Sequence, residues 1–361
     1  MRSGARLVGA LSLAAWIAVA LAASSACNAA GYVDGISDQS LPAWDGSFSV
    51  SPLADALRGR WGGGPLARVS LARYVLQWDA STEAGGQPDP RGTYRERFEA
   101  WLADVRSVGL TPVVALTSYD GVRPRSPAEY GSRLREILQR AAALGEPIRY
   151  VEAWNEPNNQ GRESPAGAAE FANVAHASCI AALACQVIAG DFEDTGTVAG
   201  FEIAYERALN FAPAMWGVHP YIALSTHNET NLLAIKANLP DRGFGEQIWL
   251  TEVAAFYCRA GEERGQGRQA DDASYLLQTL IRDPAIAPAH VFYYGLLYRD
   301  HLPASCGPGG ADDSELFAAD DEPRAAASVL LGPMIFDSRL ISGLRQAGSP
   351  SLFDWPNVGE R

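Results

Sequence analysis

Short β-rich runs and amphipathic helical runs alternate along the chain, and no other feature limits its fold so tightly. The strand candidates are "YVDGIS" (32–37), "LARVSLARYVLQW" (66–78), "TPVVALTS" (111–118), "IRYVEAWNE" (148–156), "QVIAGD" (186–191), "MWGVHPYI" (215–222), "QIWLTEV" (247–253) and "HVFYYGLL" (290–297). A helical pattern follows each: near 52–59, 93–109, 126–145, 164–182, 198–210, 228–238, 269–282 and 323–331. In the second of these, Phe98, Trp101, Leu102 and Val105 form one apolar face and Gly109 stops the run. Two others open with Ser-Pro, which suits a helix start. Regular βα alternation means a parallel sheet. Eight units predict an α/β fold closed as a single (β/α)8 TIM barrel. The rival, an open doubly wound sheet for a dinucleotide, lacks a Gly-x-Gly-x-x-Gly opening an early helix.

The first 30 residues stand apart. Arg2 and Arg6 precede an apolar stretch, Leu7 to Ala23, and then the small residues "SSACNAA". This is the pattern of a secretory signal, with cleavage expected near 26–30 and one catalytic domain over 31–361. Secretion is therefore expected; Cys27 leaves a lipid-anchored protein as the alternative. The formal charge of −13 becomes about −15 once Arg2 and Arg6 are removed, which argues against nucleic acid or an anionic membrane as partner. Cys179, Cys185, Cys258 and Cys306 remain, an even set that predicts two disulfides in an exported chain. Three pairings are open; Cys179–Cys185 with Cys258–Cys306 is favoured. No Cys-x-x-Cys pair or histidine cluster points to zinc.

Reactive side chains of such barrels sit where strands end at the C-terminal rim. Here the strand ends carry Arg73, Gln77 and Trp78; Ser118, Tyr119 and Asp120; Asn155 and Glu156; Asp191; His219 and Tyr221; Thr251 and Glu252; and Phe292, Tyr293 and Tyr294. Asp120, Glu193 and Asp194 read as ordinary loop polarity. Glu156 and Glu252 each end an apolar strand, where a carboxylate without a role is expensive to bury. Strand alternation places Glu152, Trp154 and Glu156 on one face, with Glu152 deeper and Arg73 its candidate partner. By the same period His219 and Tyr221 share a face, and Pro157 biases Glu156 toward extended backbone. Two carboxylates facing across a polar pocket suit glycosidic bond cleavage, one as proton donor and the other as nucleophile or as base for a water.

With these residues in place, the chain resembles clan A of the glycoside hydrolases, most closely the family 39, family 5 and family 128 group. The resemblance rests on "WNEPN" (154–158) and "WLTE" (249–252) at the ends of strands four and seven. It implies Glu156 as general acid/base, Glu252 as nucleophile, and Asn155 as a contact to the sugar hydroxyl beside the anomeric carbon. It implies Arg73 near the nucleophile and "HPY" (219–221) as the strand-six element that brings Tyr221 to the nucleophile. Strand eight departs from the clan: "FYY" stands where many relatives have a tryptophan. Trp78, Tyr119 and Tyr293 are candidate stacking surfaces for sugar. The implied reaction retains anomeric configuration through a covalent glycosyl-enzyme and needs no metal or organic cofactor. A non-catalytic glycan-binding barrel and a transglycosylase with the same glutamates are the alternatives. The segment 258–272 reads as a long rim loop, either a specificity element or a surface excursion.

Overall fold

The computed structural model describes residues 33–37, 69–81, 93–107, 109–119, 121–159, 163–182, 185–239, 246–259, 262–295, 306, 313–314, 316 and 324–331. The expected signal segment, Cys27, the helix near 52–59 and Asp120 lie outside them.

Ten strands and eight helices are described: β1 (Gly35–Ser37), β2 (Leu71–Gln77), α1 (Tyr94–Ser107), β3 (Thr111–Thr117), α2 (Pro127–Ala143), β4 (Tyr150–Glu152), α3 (Pro165–Ala182), β5 (Gln186–Glu193), α4 (Val198–Ala208), β6 (Met215–His219), α5 (Tyr221–Thr226), α6 (Thr230–Asn238), β7 (Gln247–Val253), β8 (Cys258–Arg259), β9 (Glu262–Glu263), α7 (Gly265–Gln278), β10 (His290–Tyr294) and α8 (Ala325–Leu331). Eight of the strands close a barrel in the order β1-β10-β7-β6-β5-β4-β3-β2, every pair parallel. This is the single (β/α)8 barrel that the alternation predicts.

Local chemistry explains the helix starts. Thr93 and Glu96 exchange hydrogen bonds at the head of α1, Thr93 N–H to Glu96 Oε2 at 2.8 Å and Glu96 N–H to Thr93 Oγ1 at 3.2 Å. Ser126 Oγ accepts from Glu129 N–H at the start of α2, ahead of Pro127. Phe98, Trp101, Leu102 and Val105 are buried, as their spacing predicts.

Two apolar layers result. Leu71, Val113, Ile188, Met215, Trp249 and Phe292, drawn from six strands, pack together inside the barrel. The outward strand faces join the helices in a larger core that includes Val114, Ala189, Phe192, Leu250, Val253 and Tyr293.

The sequence expectations need four corrections. Strand four stops at Glu152, so Trp154 and Glu156 do not continue its alternation. Glu156 is not extended: its φ is +47°, left-handed, despite Pro157. Strand six stops at His219, and Tyr221 opens α5. Segment 258–272 is not one long loop: Cys258–Arg259 pairs antiparallel with Glu262–Glu263, and α7 begins at Gly265.

Two strands break regular alternation at the rim. On β5, Gly190 pairs with Gly217 and Phe192 with the very next residue, Val218, so β5 holds one extra residue. On β7, Leu250 pairs with Val291 and Val253 with Tyr293, so three steps there match two on β10. Ile188 points into the barrel while Phe192, four residues on, packs with the helices, a change of face that a regular strand forbids. The β-bulges turn Asp191 and Glu252 inward. Gly190 and Asp191 take φ of +85° and +59° to do so.

Both expected disulfides form, Cys179–Cys185 and Cys258–Cys306, with Cα separations of 4.7 and 5.6 Å. Among the described residues no helix is long and apolar enough to cross a membrane.

Candidate active site

The C-terminal rim surrounds a cavity of about 590 Å³. Asn155, Glu156, Tyr221 and Glu252 line it, with Tyr119, Trp154, Phe256 and Tyr294 as its aromatic walls. Arg123 and Arg259 also reach it, each facing an acid, Glu163 at 3.4 Å and Glu193 at 3.5 Å.

Arg73 organises the floor. From β2 its guanidinium donates to Glu152 at 2.6 Å, Ser37 Oγ at 3.1 Å, Asn155 Oδ1 at 2.8 Å, Asp191 Oδ2 at 2.9 Å, and Glu252 Oε1. Burial opposes its charge, but Asp191, Glu152 and Glu252 outweigh that cost and raise its pKa above the ordinary value. Glu252 is thus held between a fixed cation and the Tyr221 hydroxyl, which donates to Oε2. Burial, and then the negative charges of Glu252 and Glu156, keep the Tyr221 hydroxyl protonated by raising its pKa.

Glu156 is held from three sides. Its backbone N–H donates to Asp191 O at 3.1 Å, a pairing made where β4 has already ended. Its Oε1 lies 3.0 Å from His219 Nδ1, and its Oε2 accepts from Asn159 Nδ2 at 3.2 Å. Asn158 clamps the same turn to β5, accepting from Glu193 N–H at 3.0 Å and donating to Glu193 O at 2.7 Å. These contacts hold Glu156 in a left-handed conformation that side chains seldom adopt.

His219 stands between the two glutamates, with Nε2 2.8 Å from Asp191 Oδ1 and Nδ1 3.8 Å from Glu252 Oε2. Burial disfavours its charge, yet Asp191 and Glu252 outweigh that and raise its pKa well above the ordinary value. That shift favours the imidazolium, the form in which both ring nitrogens are donors. Asp191 shows the reciprocal effect: burial pushes its pKa up, Arg73 and His219 pull harder, and the net shift is downward.

One oxygen of Glu156, one nitrogen of His219 and one oxygen of Glu252 lie within 4.8 Å of one another. Three such donors are the closest approach to a metal set among the described residues. Both ring nitrogens of His219 are already engaged, however, and Arg73 already supplies positive charge to Glu252.

The expected site residues divide. Asn155, Glu156, Tyr221, Glu252 and Tyr119 meet at the cavity. Tyr119 is 37% exposed, with one face against Tyr94. Arg73 and His219 lie beneath the cavity at 1% and 0% exposure and contact its walls, not its space. Trp78 and Tyr293 are not stacking surfaces. Trp78 is 3% exposed with its indole N–H on Val122 O, and Tyr293 is fully buried on the helix side of β10. Strand alternation gives the open position to Tyr294, two residues beyond the inward Phe292. Sequence reading gave no role to Asp191, Asn158, Asn159, Phe256 or Arg259. The consecutive asparagines in "NEPNN" were the visible signal for two of them. Asp194, read as loop polarity, caps α5 through the N–H groups of Ile222 and Ala223, both at 2.7 Å.

Fold and site together define a (β/α)8 barrel with a paired-carboxylate centre at its C-terminal rim. No protein-family model and no curated protein matches the chain. Solved structures do match. The GH53 catalytic domain of Ignisphaera aggregans is 16% identical, with a TM-score of 0.58 over 83% of this chain and 96% of that one. Fungal β-1,4-galactanases are 13% identical at TM-score 0.55, over 79% of this chain and 91% of theirs. A GH30 endoxylanase from Clostridium papyrosolvens is 15% identical at TM-score 0.52, over 83% and 71%. Glycoside hydrolases thus share this fold, in keeping with the clan A resemblance.

Proposed function

We propose that this chain is a secreted retaining glycoside hydrolase of clan A that cleaves β-glycosidic bonds of an oligo- or polysaccharide. The observation that carries the reading is the approach of Glu156 and Glu252 to within 4.8 Å, oxygen to oxygen, across the cavity. Retaining enzymes hold their carboxyls about 5–5.5 Å apart, whereas inverting ones leave about 6.5–9.5 Å for a water. Neighbours named as galactanases and an endoxylanase support a β-glycan as substrate class. The two disulfides accord with export through residues 1–30.

In the first step Glu252 attacks the anomeric carbon as the glycosidic C–O bond breaks, and Glu156 delivers a proton to the leaving oxygen. In the second, water attacks the same carbon, its proton goes to Glu156, and the bond to Glu252 breaks. Arg73 and the Tyr221 hydroxyl hold the Glu252 carboxylate in place for attack. Asn155 spends its oxygen on Arg73 and keeps its NH₂ as a donor for a sugar hydroxyl.

The test is hydrolysis of aryl β-glycosides and a polysaccharide panel, with product configuration followed by NMR. Retained configuration supports the reading. Inverted product removes the covalent intermediate, and tight glycan binding without turnover makes the barrel a binding protein. Glu156→Ala should lose about 10²–10⁴-fold on unactivated glycosides and far less on aryl glycosides whose phenol leaves without a proton.

A further inference from the structure

Asp191 does not line the cavity, yet it bonds Arg73, His219, Thr251 and the backbone of Glu156. Its Oδ2 accepts from Arg73, and its Oδ1 takes His219 Nε2–H and Thr251 Oγ1–H, both at 2.8 Å. Its carbonyl accepts the N–H of Glu156. It occupies this position only because of the extra residue in β5, which brings it inward at φ +59°. Gly217 on the facing strand leaves the room: a Cβ there would lie 3.1 Å from Asp191 Oδ1, 3.2 Å from Asp191 Cα and 3.2 Å from Thr251 Oγ1.

We propose that Asp191 is a positioning residue that fixes His219 through Nε2–H, so that Nδ1–H faces Glu156 and the pair Glu156–His219 holds the proton used in catalysis. This rests on the reading of Glu156 as acid/base. The bond between Asp191 and His219 leaves the ring one orientation. With Nε2–H committed to a carboxylate, Nδ1–H faces Glu156 Oε1, 3.0 Å from nitrogen to oxygen, and the proton passes through that oxygen. When Glu156 protonates the leaving oxygen, the pair gives up this proton and is left as a neutral imidazole and a carboxylate. When water is deprotonated in the second step, the proton returns to the same pair.

The charged and titratable groups facing His219 are Asp191 from β5, Glu156 from the turn after β4, Glu252 from β7 and Tyr221 from α5, with Glu152 and Arg73 one layer below. Of these, Asp191 is the anion outside the reacting pair of glutamates that bonds the ring directly.

The test begins without a variant. Long-range ¹H–¹⁵N NMR of the histidine-labelled full chain, with His219 assigned by its loss in His219→Gln, should show both ring nitrogens protonated at pH 7. A neutral His219 ring at pH 7 overturns the proposal. Asp191→Asn keeps the side-chain shape, and asparagine tolerates a left-handed backbone. In that variant the His219 titration midpoint should fall by a pH unit or more, a tenfold change in proton affinity. The basic limb of kcat/KM should move the same way, because the pair then loses its proton sooner. An unmoved midpoint, or a rate lowered evenly at every pH, overturns the proposal. The NMR result is independent of turnover, so failure to cleave any glycoside is told apart from failure of the Asp191–His219 link.

Discussion

Arg73 Nε donates to Glu152 Oε2 at 2.6 Å, yet Glu152 Oε1, equally buried, finds no hydrogen-bond partner among the described residues. A bare carboxylate oxygen at 0% exposure is costly. Arg73 already faces Asp191 and Glu252, so its single positive charge is oversubscribed. Burial therefore wins at Glu152 and pushes its pKa up to about 8 despite the guanidinium. The ion-pair geometry accommodates that shift: a proton on the bare Oε1 leaves Oε2 free to accept from Arg73.

Stability should carry the mark of that proton. Between the unfolded pKa of about 4.5 and the folded value of about 8, the native state holds a proton that the unfolded chain has released. The contribution of Glu152 to stability therefore falls as pH rises through this window and is flat above it. Glu152→Gln should gain about 1–3 kcal/mol relative to wild type between pH 5 and pH 8, read by urea denaturation at both. A constant difference between the two proteins would assign the shift to another group.

Arg73→Met should cost about 3–5 kcal/mol or prevent folding, because it strips the cation from buried Asp191 and Glu252 and a donor from Glu152 at once. Arg73→Lys should recover only part, since one ammonium cannot reproduce the fork that reaches Ser37, Asn155 and three acids. Thermal unfolding of both variants decides this.

Tyr221→Phe removes the hydroxyl that donates to Glu252 while its ring still packs on Phe256. A hydrogen bond to a charged group contributes about 1.5–3 kcal/mol, so kcat should drop about 10–100-fold on the substrate the panel identifies. Unchanged melting temperature with reduced kcat would place the loss in the chemistry. Unchanged kcat would remove Tyr221 from it.

The two disulfides should differ in weight. They close loops of very different length, with sequence separations of 6 for Cys179–Cys185 and 48 for Cys258–Cys306. Loop-closure entropy gives about 2 kcal/mol for the first and about 4 kcal/mol for the second. Replacing the pair Cys258 and Cys306 by serine should also lower activity, because Cys258 anchors Arg259, which donates to Tyr221 O and Ser225 Oγ at 2.8 Å each. Paired-serine variants, denatured in urea and assayed alongside wild type, give both readings.

The barrel was legible in the sequence because its signal is redundant: eight repeats of one period survive errors in any single strand. Glu156 and Glu252 were legible because each follows an apolar run. Positions that depend on backbone geometry were not. Tyr293 looked as suitable as Tyr294 until the inward Phe292 fixed the phase of β10. Pro157 argued for an extended Glu156, but hydrogen bonds from Asn159 to its side chain and from its own N–H to Asp191 override that local preference. Asp191 carries no motif. What gives it a role is an added residue in β5 opposite Gly217, and register between distant strands is not written in local pattern.

The bulges in β5 and β7 make this centre a matter of residue count as much as of residue type. Excising Gly190 would remove the bulge and seat Asp191 in the inward place opposite Gly217 that Gly190 now fills, with Phe192 still facing the helices. Excising Thr251 would likewise leave the Glu252 carboxylate inward, but it would remove the hydroxyl that donates to Asp191. Each bulge lets two successive residues of one strand face the barrel, and a single-codon deletion there erases that doubling in one step while the rest of the strand keeps its faces.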